Sequence, residues 1–270
     1  MIPSARLKWS TFAAVTCAAL ALCVVAPATA QEFKGFVPSG EFTVKFNGED
    51  LADSTLYHSE QSGAFLIMSP NLKAPVLMNT RGRVAQGVSF MKVTKHEDGS
   101  IDLLPDAVYK TFGPLKPSGK TVSFDVDGAK MVLTTKPALL GTQNEDSLAE
   151  YNPSYAYKAA KYKADAKQIT ELKGEARDVT VKIFFGTWCP VCSRLVPKVM
   201  NVSETLEGSK IKFEYYGLPR MMSDDPVTDE LKLRGVPTGV VYVNGKEIGR
   251  LSGQELYKPE SGLQKVLSGA

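Results

Sequence analysis

The sequence predicts two unlike domains in series: a small all-β domain, sandwich or barrel, followed by an α/β domain whose mixed sheet is flanked by helices. Three observations carry this. Between residues 41 and 141 short apolar runs alternate with turn dipeptides such as Asn47-Gly48, Asp98-Gly99 and Asp127-Gly128, the punctuation of hairpins. From residue 179 onward, strand-like runs interleave with helical stretches and close on a hairpin around Asn244-Gly245, the pattern of a sheet with helices on its faces. At the first strand-to-helix junction of that part stands Trp188-Cys189-Pro190-Val191-Cys192.

The chain opens with residues 1–30, which carry Arg6 and Lys8, no acidic residue, an apolar core from Thr11 to Val25 and the small-residue ending Ala28-Thr29-Ala30. This is the pattern of a secretory signal peptide cleaved before Gln31. Leu20-Ala21-Leu22-Cys23 faintly resembles a lipoprotein site, but the bulky Leu22 sits where a small residue is wanted, so the Ala-x-Ala site is favoured. The apolar run is short for a bilayer span, and no later stretch approaches the roughly 20 apolar residues a membrane helix needs. A soluble exported protein, periplasmic or otherwise outside the cytoplasm, is expected, without stable membrane insertion after cleavage. Cleavage also removes Cys17 and Cys23, leaving Cys189 and Cys192, and leaves 30 basic against 29 acidic residues. That balance gives no electrostatic case for nucleic acid or an anionic membrane.

The β domain is placed at residues 31–145, with strands expected at Phe42–Phe46, Ala64–Met68, Val76–Met78, Val88–Val93, Thr121–Val126 and Met131–Thr134. The chain's histidines, His58 and His96, fall there without a Cys or carboxylate cluster at ligand spacing, so surface positions are favoured over a metal site. Residues 146–174 form a linker: the polar stretch 141–147 gives way to a helix from Tyr155 to Leu172, rich in Ala, Lys and Tyr. Tyr151, Tyr155, Tyr157 and Tyr162 are read as packing between this helix and a domain.

The third segment, residues 175–270, begins with the strand Val179–Phe185. A helix from about Cys189 to Leu206, strand Ile211–Tyr216, a short helix around Thr228–Leu233, strands Gly239–Val243 and Lys246–Leu251, and a last helix toward Leu267 follow. Two cysteines one helical turn apart can form a disulfide, exchange it with another protein, or hold a metal. A bridge over two intervening residues removes little entropy from the unfolded chain, so the pair serves chemistry or metal rather than stapling.

With this pair at its strand-to-helix junction, residues 150 to 268 resemble the thioredoxin-like superfamily. Phe185-Gly186-Thr187-Trp188-Cys189 is similar to the active-site approach of the TlpA/ResA-like periplasmic branch, Pro197 stands where thioredoxins kink this helix, Arg234-Gly235-Val236-Pro237-Thr238 is similar to the cis-proline loop, and Asn244-Gly245-Lys246-Glu247 with Ser252-Gly253 is similar to the closing hairpin. The resemblance implies a thioredoxin fold and protein-disulfide oxidoreductase activity. It also implies a cis bond before Pro237 and a docking edge at Val236 and Thr238 for an extended substrate strand. The ring of Pro237 would crowd metal from the cysteines, so redox exchange is favoured over zinc or copper. No cofactor is expected beyond the redox-active Cys189–Cys192 disulfide, and no metal.

Physical reasons support these roles. Cys189 at a helix N-terminus meets unsatisfied N–H groups and the helix dipole, which favour a thiolate, and becomes the nucleophile. Pro190 falls in the first turn, where a missing N–H does no harm. Cys192 lies one turn deeper, placed to resolve the mixed disulfide. Trp188, Pro190, Val191 and Pro237 support the site. The sequence departs from the family at Ile183, six residues before Cys189, where thioredoxins carry a buried Asp that accepts the proton of the deeper thiol. Glu214, on the following strand, is a candidate replacement, with a solvent-facing carboxylate the favoured alternative.

Pro190-Val191 contains no cationic group to stabilise the Cys189 thiolate further, and only 20 residues lie between Tyr216 and Pro237, without the long helical insertion of DsbA-like oxidants. The expectation is a reductase with a potential of about −200 to −270 mV, acting on extracytoplasmic protein thiols and disulfides and recharged by a membrane electron donor. A disulfide oxidase or isomerase is the nearest alternative. A metallochaperone would need a third ligand, usually His, and wider cysteine spacing; a non-catalytic binding protein would not need an intact Trp-Cys-x-x-Cys.

Overall fold

A computed structural model describes residues 32–269. The expected signal segment, with Cys17 and Cys23, lies outside the described residues, and residues 32–270 group as one compact unit.

The N-terminal part is built of antiparallel sheets. A six-stranded sheet runs in the order β1 (Val37–Ser39), β4 (Thr55–Ser59), β5 (Ala64–Met68), β6 (Val76–Asn79), β7 (Val84–Val88), β10 (Val108–Pro114). A five-stranded sheet runs β11 (Lys116–Ser118), β12 (Thr121–Val126), β13 (Ala129–Thr135), β2 (Phe42–Phe46), β3 (Glu49–Asp50). Alternation along β5 explains their stacking. Phe65 and Ile67 join a core with Val44, Phe124, Met131 and Leu133 of the five-stranded sheet. Ala64 and Leu66 face the other way, onto Phe36, Ile101 and Leu103, where the ribbon β8 (Val93–Lys95) and β9 (Ile101–Leu103) lies. A strand buried on both faces reads as a continuous apolar run.

The turn dipeptides sit where expected. Asn47-Gly48, Asp127-Gly128 and Asn244-Gly245 all adopt positive φ and join directly paired strands, the geometry of two-residue type I′ hairpins. The expected strand Val88–Val93 is broken instead: β7 ends at Val88 and a single 3₁₀ turn occupies Phe90–Lys92. Phe90 and Met91 are exposed there, so the apolar run has no face to bury.

The C-terminal part has a mixed sheet in the order β14 (Gly141–Gln143), β16 (Ile211–Gly217), β15 (Val179–Phe185), β17 (Thr238–Val243), β18 (Lys246–Leu251). β15 is parallel to β16 and antiparallel to β17. One face, through Val181, Ile183 and Tyr215, packs on α4 (Cys192–Thr205), α6 (Pro259–Ser268), α2 (Ser154–Lys161) and α3 (Ala166–Lys173). The other, through Phe184 and Val240, packs on Leu218, Leu233 and α5 (Pro226–Glu230). This is a thioredoxin fold.

The polar stretch after residue 141 contributes an edge strand, β14, and then α1 (Glu145–Tyr151), whose cap Asn144 forms a reciprocal capping box with Ser147. The single helix expected over residues 155–172 is two. α2 ends at Tyr162, and Asp165 starts α3 by accepting from the Lys167 and Gln168 N–H groups, a side-chain bond that replaces the missing helical partner.

The β part is tied to α1 and α2 by polar contacts. Gly40 N donates to Asn152 Oδ1 at 2.9 Å, and Lys136 Nζ donates to the Tyr151 carbonyl at 2.9 Å. Lys158 pairs with Glu60 at 2.7 Å and Lys161 with Asp98 at 2.6 Å. A Cβ on Gly40 would stand 2.3 Å from the Tyr151 oxygen, so this junction requires glycine.

Candidate active site

The two thiols sit at the seam between β15 and α4. The helix expected from about Cys189 begins instead at Cys192; Cys189 stands three residues before it, and its carbonyl accepts from Ser193 N at 3.1 Å. Its sulfur accepts from the Cys192 N–H at 3.4 Å, a capping contact at the N-terminal end of α4. Both cysteines are free thiols in this structure. Cys189 retains 8% exposure and Cys192 none, so a partner can reach the first sulfur and not the second.

Burial pushes the Cys192 thiol far above the usual thiol range, the nearby Cys189 adds to the effect, and the Gly186 N–H, 3.5 Å from its sulfur, opposes it in part. Cys192 is therefore held protonated at neutral pH and must lose its proton to attack.

The peptide bond between Val236 and Pro237 is cis. The Cys189 S–H points at the Val236 carbonyl oxygen, 3.6 Å away, and Thr238 Oγ1 donates to the Gly235 carbonyl at 2.7 Å, closing the loop on itself. Trp188 Nε1 donates to the Leu218 carbonyl at 2.9 Å, and a Cβ on Gly186 would come within 2.4 Å of its ring. Glycine at 186 thus lets the indole pack close against the chain before Cys189. Pro190 is exposed and Val191 partly buried at the start of the helix. Trp188, Cys189, Pro190, Val191, Cys192, Val236, Pro237 and Thr238 are thereby brought to one place.

Glu214 is not. It lies on the opposite face of the sheet from Cys192, beside its register partner Lys182 at 4.0 Å, with a half-exposed side chain. Strand alternation decides this: Tyr215 points toward α4, so its neighbour Glu214 cannot. The proton-acceptor reading of Glu214 is corrected accordingly.

A cleft of about 660 Å³ opens in front of Cys189. Trp188, Pro190 and Arg194 form one wall; the opposite wall comes from the β part, with Glu41, Phe42, His58 and Glu60; Tyr155 and Lys158 of α2 lie between. The histidine read as a surface residue therefore lines the cleft. Its ring stacks on Phe65 at 4.3 Å and its Nδ1 is 3.7 Å from Glu41. Burial lowers its pKa, against the raising pull of Glu41 and Glu60. Lys158 spans the two walls, donating to Glu60 and to the Ser193 carbonyl at 3.2 Å. No spacing rule links His58 to Cys189, and no strand is expected at β4, where His58 lies.

Comparison with known proteins addresses the C-terminal part. The thioredoxin family model matches residues 159–268. A putative thioredoxin-5 from Dictyostelium discoideum is 31% identical over 105 residues, 38% of this chain and 97% of that protein. A thioredoxin from Echinococcus granulosus is 26% identical over 106 residues, 37% of this chain and 91% of its own length. Among solved structures, the Malassezia sympodialis thioredoxin Mala s 13 is 26% identical and covers 38% of this chain and 86% of its own, with a TM-score of 0.28. The matched family segment starts after Tyr155 and leaves the antiparallel sheets of the N-terminal part outside it. On these sequence matches, the chain belongs, through its C-terminal part, to the thioredoxin family.

Proposed function

We propose that this protein is an exported thiol:disulfide oxidoreductase of the TlpA/ResA-like type, reducing disulfides in extracytoplasmic client proteins through Cys189 and Cys192. The observation that carries the reading is the unequal burial of the two sulfurs, one open to the cleft and one sealed a turn deeper. Cys189 sulfur attacks one sulfur of the client disulfide. A mixed disulfide forms, and the other client sulfur leaves as a thiolate that takes a proton. Cys192 then loses its proton and attacks Cys189, forming the Cys189–Cys192 disulfide and releasing the second client thiol. The client gains two electrons and the protein loses them, so each cycle needs an external dithiol donor, proposed to act at the membrane.

Val236 and Thr238 flank the reacting sulfur in a position suited to pairing with an extended client segment. The β part, as the second wall of the cleft, is assigned the selection of that segment. Trapping tests the reading. Cys192→Ser should accumulate client proteins in mixed disulfides on Cys189, in the periplasm or an equivalent exported fraction, and Cys189→Ser should trap none. Equal trapping by both variants, or by neither, would remove the division of labour.

A further inference from the structure

The thioredoxin pattern puts a buried carboxylate beneath the deeper thiol, and here that position is the fully buried Ile183. The charge that develops on Cys192 therefore lacks the family's usual partner. A different polar group lies close by. Tyr155, from α2, is 2% exposed and belongs to the same packed core as Cys189 and Cys192. It also lines the cleft beside Cys189, because α2 packs along α4. Among the described residues its hydroxyl has no hydrogen-bond partner. A buried hydroxyl without a partner is costly, and at a reactive centre it calls for an explanation.

We propose that the Tyr155 hydroxyl is a catalytic hydrogen-bond donor to the Cys192 sulfur, idle while that sulfur is a thiol and engaged when it becomes an anion. During resolution the Cys192 proton passes to water. Cys192 sulfur then forms its bond to Cys189 as the bond from Cys189 to the client sulfur breaks. Tyr155 keeps its own proton throughout: burial raises its pKa, and Cys192 ahead of Cys189 is among the groups that raise it further. It is thus suited to donating a hydrogen bond and not to accepting a proton as a base. A phenol donor here stands in electrostatic terms for what the sheet no longer supplies, and it comes from outside the matched family segment.

This inference rests on the dithiol reading above, and 5,5′-dithiobis(2-nitrobenzoate) separates the two. Attack by Cys189 on this disulfide releases one equivalent of the coloured thiolate, and attack by Cys192 on the resulting adduct releases the second. Tyr155→Phe keeps the ring and removes only the hydroxyl, so its melting temperature should equal or exceed that of the wild type. Its second phase should slow by about tenfold or more, the usual size of one hydrogen bond to a charged group, with the first phase within about twofold. Two unchanged phases, or both slowed alike, would overturn the role of Tyr155 while leaving the dithiol intact. A wild-type protein releasing only one equivalent would overturn the dithiol reading itself.

Discussion

At the scale of single residues, burial decides which groups can react. Cys189 and Cys192 share a motif but not an environment, and the sealed position of Cys192 disfavours its charged form. His58 shows the same effect on stability. Its pKa lies below the ordinary 6.5 in the folded protein because burial disfavours its charged form, so the unfolded chain binds a proton first. Its contribution is present above about pH 6.5 and is lost as the pH falls through the folded value. Thermal melts between pH 7.5 and 5 should therefore show a smaller acid loss in His58→Gln than in the wild type; equal slopes would remove His58 from the acid limb. Cys189 and Cys192 are legible in the sequence because their spacing is a local property, whereas Trp188 and Pro237 come from the family resemblance. Glu214 is offered as a proton acceptor and Tyr155 only as packing, since which face a residue takes depends on how a strand alternates and where a helix from another segment packs.

At the scale of elements, legibility followed the strength of local signals. β2, β5, β12, β15 and β18 have the expected bounds, each a run of apolar or alternating residues beside a turn or junction. β4 and β10 were not visible. β4 mixes Thr, Tyr, His and Ser with one aliphatic residue. β10 has little buried surface and two register shifts against β7, so no period survives in its sequence. The linker hid most. A single helical run over residues 155–172 gave no sign of the break at Tyr162, which depends on Tyr162 donating to Glu260 almost a hundred residues later, and on Asp165 capping α3. The split matters to the site, since it frees α2 to lie along α4 with Tyr155 inward and Lys158 reaching both walls.

At the scale of the whole molecule, the β sheets and the thioredoxin fold meet at the thiols, so the cleft belongs to both. The junction at Gly40 supports this arrangement by a close backbone approach that no side chain would permit. Gly40→Ala should cost about 1–3 kcal/mol and should weaken client reduction more than reduction of a small disulfide, which needs only the Cys189 side of the cleft. Chemical denaturation with paired assays on a protein and a small disulfide checks both; equal losses on the two substrates would deny the β part a role in client selection. The proposed delivery of electrons to clients by the Cys189/Cys192 pair is set by the pair's potential. Equilibration of the pair with glutathione buffers, read by thiol alkylation and mass, tests it most directly. A midpoint of about −200 to −270 mV is expected, and a value of about −120 mV, that of a strong oxidant, would contradict electron delivery to clients.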